Sequence, residues 1–188
     1  MPGQIAAWTA EHRNFEKLLI IMERELNLFQ RGEQPNYGLM LDIVYYMTQY
    51  PDRFHHPKED VAFERVLKRE SAAGDLVESL HRQHGAIARS GKALQAQLDS
   101  VMTGVMLPRA HVEQPAREYI DYFRRHMQME EGALFPLAQR VLGNEDWMAI
   151  DAQIPEGADP LFGSSLEDRY RVLHRKIAKE VGCDCAAA

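Results

Sequence analysis

The chain has 188 residues, 27% of them charged, and a formal net charge of −6. This length suits one ordinary domain with a real hydrophobic core, and the acidic balance argues against nucleic acid as a partner, because phosphate binding requires a basic surface. We expect no membrane partner and no secretory signal, and the two cysteines, Cys183 and Cys185, give no disulfide framework, which favours the cytoplasm.

The first predicted element is an amphipathic helix. Its inner positions recur in steps of three and four residues, which is the spacing of one face of an α-helix. They are Ile5, Trp8, His12, Phe15, Leu19, Met22, Leu26 and Phe29. Gly32 and Pro35 then predict the end of this helix.

The second predicted helix begins near Tyr37 and contains two prolines, Pro51 and Pro57. A proline inside a helix removes a hydrogen bond and clashes with the preceding turn. We therefore expect a kink or a short break around residues 51–57, followed by helix to about Glu70. The segment SAAG, residues 71–74, predicts the next turn.

Two more amphipathic helices follow, one ending near Gly104 and one with Pro115 in its first turn. Four long helices with short connections predict an all-α fold, an up-down-up-down four-helix bundle, over residues 1–143. Residues 144–188 are predicted to form a C-terminal helical extension that packs on the bundle. It would contain a short helix, an irregular stretch, a last helix over about residues 166–181 and a flexible tail.

Histidines occupy inner positions of these helices where leucine is expected. They are His12, His84 and His126, and Glu130 lies in line with His126. A buried imidazole or carboxylate without a partner is costly, and a single buried histidine is usually satisfied by a carbonyl. Several at one bundle centre must be satisfied together, and a metal ion does this at once.

A His-x-x-x-Glu pair occurs twice, as His55 with Glu59 and as His126 with Glu130. Residues i and i+4 of a helix point to the same side, so each pair is able to reach one centre. His12 precedes His55 by almost the same number of residues as His84 precedes His126. This weak internal duplication predicts that all four helices contribute to one site.

The order of these residues resembles the hemerythrin family, in particular the bacterial hemerythrin-like HHE cation-binding domains. The segments that carry the resemblance are EHRNF, HHPKED, RQHGAI and HMQMEEGALFP, within residues 5–142. The resemblance implies a bundle around a di-iron centre of two non-haem iron ions. By the same resemblance Glu59 and Glu130 would bridge the ions, and the terminal ligands would be His12, His55, His84 and His126.

The oxygen-carrying members of that family use five histidines, which leaves one ligand to assign. His56 adjoins His55, and a distortion at Pro57 would turn both inward; His81 lies three residues before His84. We favour His56 and keep His81 as the alternative. Glu16, four residues after His12, would either orient that imidazole or form an exposed ion pair.

The resemblance implies a protein that binds O₂, NO or another small diatomic ligand, or that senses redox state or iron. Alternatives within the same chemistry are an iron donor for repair of iron–sulfur centres and a di-iron peroxidase or NO reductase, so enzymatic turnover stays open. The alternative of another class is a metal-free helical interaction module, which would hold no iron.

Overall fold

The computed structural model of the protein describes residues 2–153 and 158–181. These residues form helices joined by short turns and contain no β-strand, which confirms the predicted all-α class. The α-helices are α1 (Pro2–Gln30), α2 (Tyr37–Tyr50), α3 (His56–Arg69), α4 (Gly74–Met102), α5 (Ala110–Met129), α6 (Phe135–Val141), α7 (Asn144–Gln153) and α8 (Arg171–Val181).

Four long segments make the bundle: α1, α2 continued by α3, α4, and α5 continued by α6. Helix α1 packs against α2 and α5, α2 packs against α4, and α4 packs against α5, so the four segments close a ring. The predicted end of the first helix is correct, because α1 stops at Gln30 and Gly32 adopts a φ of 74°. That left-handed conformation is readily accessible to glycine.

A π-helical turn, Pro51–His55, joins α2 to α3 where the sequence predicts a distortion. The backbone N–H of His56 donates to the carbonyl of Pro51, five residues back. Pro57 follows directly; it has no N–H and crowds the preceding turn, so the wider turn relieves the clash. The extra residue per turn allows the neighbours His55 and His56 both to face inward, and both are buried.

A second π-helical turn, Glu130–Leu134, joins α5 to α6 and was not predicted from the sequence. Its local cause is similar: the N–H of Phe135 donates to the carbonyl of Glu130, and Pro136 comes next. Helix α5 itself begins at Ala110, earlier than predicted, so Pro115 lies inside the helix rather than in its first turn. The helix therefore continues past one missing backbone hydrogen bond.

The C-terminal part packs on the outside of the bundle. Helix α7 contacts α3, where Asp146 accepts hydrogen bonds from Arg65 and Arg69, each at 3.2 Å, and α8 contacts α1 and α2. The last helix is shorter than predicted, because a 3₁₀ turn, Asp168–Tyr170, precedes α8. The predicted tail with its two cysteines lies outside the described residues. None of the described helices is both long and apolar enough to cross a lipid bilayer.

Two apolar cores fill the bundle, and a polar layer lies between them. On α1 the buried side chain of Trp8 belongs to one core and Phe15 to the other, with His12 between them. On α4 the same order is Leu80, His84 and Ile87. The histidine positions picked out by their helical spacing are therefore a layer that crosses the bundle.

Candidate metal centre

Seven of the eight predicted ligand side chains meet in this polar layer. Each is at most 7% exposed, and they come from all four segments of the bundle. They are His12, His55, His56, Glu59, His84, His126 and Glu130. Burying so many polar groups without a partner would cost several kcal/mol per ion, so the layer requires a compensating charge.

Glu59 lies at the middle of the layer, and its two oxygens face different histidines. Oε1 is 3.2 Å from Nε2 of His55 and 3.6 Å from Nε2 of His12. Oε2 is 3.6 Å from Nε2 of His84. One carboxylate therefore reaches two groups of imidazole nitrogens.

Glu130 repeats this arrangement from the opposite segment. Its Oε2 is 3.5 Å from Nε2 of His12, and its Oε1 is 3.2 Å from Nε2 of His126 and 3.4 Å from Nε2 of His84. Like Glu59, it directs one oxygen to each histidine group. This is the placement that allows a carboxylate to bridge two cations.

The imidazoles divide into two sets around these carboxylates. We call His12 and His55, whose Nε2 atoms are 3.0 Å apart, the two-histidine side. His56, His84 and His126 form the three-histidine side, with ring centroids 4.3 Å apart for His56 and His84 and 4.6 Å apart for His84 and His126. Potential ligand atoms in each set lie within 4.8 Å of one another.

His81, the alternative to His56, lies outside the layer. Its side chain is 39% exposed, its Nε2 is 3.6 Å from Oδ1 of Asp60, and its ring stacks on Phe63. His81 lies three residues before His84 on α4, so its side chain points toward the outer edge of the layer and not toward the centre. The structure thus brings His56, and not His81, to the other ligand candidates.

Each of the five inner histidines has an outer partner at Nδ1. Such a partner fixes the ring orientation and leaves Nε2 to face the centre. The pairs are His12 with Glu131 at 2.9 Å, His55 with Glu11 at 2.5 Å, His56 with Asp52 at 3.2 Å, His84 with Asp60 at 2.7 Å, and His126 with Gln83 at 3.1 Å.

None of these five outer partners was predicted from the sequence, although three have a simple signal. Glu11, Asp60 and Glu131 are each the immediate neighbour of a predicted ligand. Glu16, for which we kept open a contact with His12 or an exposed ion pair, forms an ion pair and accepts hydrogen bonds from Arg124 at 3.1 Å. An acidic residue beside the ligand, rather than four residues after it, was the useful sign.

Electrostatics keep part of the three-histidine side neutral. Burial, together with the charges of His84 and His56, lowers the pKa of His126 to about 2. Burial and the charge of His84 likewise lower the pKa of His56 well below its ordinary value. A neutral imidazole keeps the Nε2 lone pair that metal binding requires.

The pKa values of His55, His84 and Glu130 are raised instead, and that of Glu59 is lowered, because imidazoles and carboxylates face one another across the layer. Burial alone would lower the pKa of His55, but the charges of Glu59 and Glu11 raise it to about 10. Burial and the charge of Glu59 raise the pKa of Glu130 to about 7. In the protein without metal, protons therefore supply part of the positive charge that the carboxylates require.

The atoms that face the centre fit metal binding. Among the described residues, both oxygens of Glu59 and of Glu130 are buried without a hydrogen-bond partner, and so is Nε2 of His56, His84 and His126. Imidazole and carboxylate donors suit iron, manganese and zinc. Seven such donors exceed the four of a tetrahedral zinc site.

The family model described as the hemerythrin HHE cation binding domain matches residues 4–138. The match spans more than half of the chain and includes all seven inner ligand candidates and their five outer partners. No curated protein and no solved structure matches the chain. The family match and the buried cluster of histidines and glutamates both indicate a metal-binding site.

Proposed function

Because the chain belongs to the hemerythrin HHE cation-binding family, we propose that it is a non-haem di-iron protein that binds O₂ or NO in the polar layer. One observation carries the proposal: Glu59 and Glu130 each direct one oxygen to either histidine side. Two carboxylates placed in this way are suited to hold two ions as a pair.

The unequal histidine sets favour one position for an external ligand. The three-histidine side offers three imidazoles and shares both carboxylates, whereas the two-histidine side offers only His12 and His55. One donor fewer leaves room for a small molecule beside His12 and His55. His12, His55 and the shared carboxylates would hold an iron ion there, and that ion, when reduced, would supply the electrons for O₂ binding or would bind NO.

Aromatic side chains limit what is able to reach that position. Phe135 stacks on His12 with ring centroids 5.5 Å apart, and Phe15 meets His55 edge-on at 5.0 Å. All four rings are buried. This apolar wall excludes bulk water and large ligands and admits small uncharged ones, which fits a diatomic molecule.

The test is metal analysis of protein reconstituted anaerobically with iron, followed by reduction and titration with O₂ and with NO. We expect about two iron ions per chain and a visible charge-transfer band that appears on ligand binding. His126→Ala should abolish the band, and His111→Ala, at an exposed histidine of the same helix, should leave it unchanged.

Circular dichroism of both variants confirms that the comparison concerns folded protein. A folded parent that retains no iron would reject the proposal in favour of the metal-free interaction module. Retention of iron without any spectral response to O₂ or NO would support metal binding and reject the diatomic ligand.

A further inference from the structure

One of the five outer partners differs in charge from the other four. Glu131, Glu11, Asp52 and Asp60 are carboxylates, but His126 faces the neutral side-chain amide of Gln83 at 3.1 Å. His84, the adjacent ring on the three-histidine side, has its partner Asp60 at 2.7 Å. A hydrogen bond to a charged acceptor is stronger than one to a neutral acceptor. The distinction of Gln83 is its missing charge and not its distance, because the carboxylate of Asp52 lies 3.2 Å from His56.

The surroundings of Gln83 determine which end of its amide meets His126. Its Nε2 lies 3.5 Å from Sδ of Met129 and 3.4 Å from Oγ of Ser79. A thioether has no hydrogen to donate, so the atom beside Met129 must be the NH₂ group. Oε1 therefore points to His126 and only accepts, which makes Nδ1 of His126 the donor.

This contact orients the imidazole without adding charge. The amide of Gln83 carries no net charge, and its oxygen does not take the proton from His126. The proton therefore stays on Nδ1, and the lone pair of Nε2 faces the centre on a neutral imidazole. A carboxylate in the same place would pull the Nδ1 proton more strongly and raise the electron donation of the ring. Stronger donation stabilises the higher oxidation state of a bound metal.

We propose that Gln83 is a positioning residue that acts through His126 and keeps the reduction potential of the iron centre higher than a carboxylate partner would. The proposal rests on the di-iron function given above. Gln83 thus differs from the four acidic partners, because it orients a ligand imidazole without placing a negative charge beside it.

Two substitutions of nearly equal size but opposite charge change test this role. Gln83→Glu should lower the midpoint potential of the iron-loaded protein, and Asp60→Asn, which removes charge behind His84, should raise it. We expect about a tenfold change in the ratio of oxidised to reduced iron at a fixed applied potential in each case, which equals about 59 mV for a one-electron couple. The measurement is a spectroelectrochemical titration of the visible band.

A second measurement needs no variant. In ¹⁵N spectra of the metal-free parent, His126 should be in the tautomer protonated at Nδ1, and a tautomer protonated at Nε2 would overturn the proposal. Shifts of the same sign in both variants, or no shift in either, would also overturn it. So would loss of iron from a folded Gln83→Glu variant, because added negative charge should strengthen binding. A parent that binds no iron instead rejects the di-iron function itself.

Discussion

The second and fourth segments of the bundle carry the same His-x-x-x-Glu pattern, yet they use their π-helical turns differently. In the second segment the turn ends at His55, before the pair is complete. In the fourth it starts at Glu130, where the pair ends. The duplicated sequence is therefore not a duplicated backbone.

The difference decides which consecutive residues reach the centre. The first turn brings in two histidines: His55 joins the two-histidine side, and His56 joins the three-histidine side. At the second π turn, Glu130 and Glu131 both contact His12. Glu130 lies beside Nε2 and Glu131 beside Nδ1. Adjacent residues of a regular helix diverge by about 100°, so a wider turn is what allows neighbours to cooperate. The unequal histidine sets follow from where each turn lies.

The largest expected effect comes from removing a shared carboxylate. Glu59→Gln leaves one oxygen as acceptor but removes the charge that serves both histidine sides, so we expect both irons to be lost, with less than about a tenth of the parent content remaining. Metal analysis of the folded variant measures this. Glu64→Gln, at an exposed position of the same helix, is the matched control.

A variant that loses only one of two irons would contradict this expectation. It would mean that the two sides bind metal independently, and that the oxygens of Glu59 do not join them.

A smaller effect is expected at the additional histidine. His56→Ala should remove one donor from the three-histidine side, reducing iron content by about one ion per chain after dialysis against a chelator. His81→Ala should retain the parent content, because its side chain lies at the rim. Equal losses in the two variants, or a loss confined to His81→Ala, would reverse the assignment of the fifth ligand.

Helical spacing was sufficient to predict the fold and most of the layer. The apolar positions of α1 and α4 define their buried faces, and the inward histidines interrupt those faces at His12 and His84. Periodicity also places Glu59 with His55, since both lie on one side of a helix. These features depend on local spacing, which a sequence displays directly.

Contacts between different segments were beyond this reasoning. The prolines Pro51 and Pro57 indicated a distortion that would turn His56 inward, but sequence periodicity assumes a regular helix and does not specify a π turn. The contact of Gln83 with His126 joins α4 to α5, and nothing in the spacing of either helix specifies it. The second π turn was missed because the apolar spacing was interpreted as one regular helix across Pro136.

Two glutamates of α1 allow the effect of an outer partner to be compared with that of a surface ion pair. Glu11→Gln weakens the acceptor behind His55, so iron affinity should fall by about 10- to 100-fold, the range typical of such partners. Glu16→Gln should leave affinity unchanged, because its partner is Arg124 at the surface. Competition with a chelator of known affinity measures both. Equal effects would show that negative charge near α1, rather than the contact with His55, governs binding.

The smallest effect concerns pH and the metal-free protein. The pKa of His55, raised to about 10, lies above its unfolded value, so the stability it contributes is complete below the ordinary value of 6.5 and is lost as pH rises toward 10. The free energy of unfolding should therefore fall between about pH 7 and about pH 9, and His55→Gln should flatten that decline.

His126 on the other side supplies the control. With its pKa lowered to about 2, it is neutral in both the folded and the unfolded chain above pH 7. His126→Gln should therefore leave the slope over this range as in the parent, whatever it does to the absolute stability. Urea unfolding at several pH values gives the slopes. If both variants flatten the curve equally, the protons are shared across the layer and His55 and His126 are not electrostatically distinct.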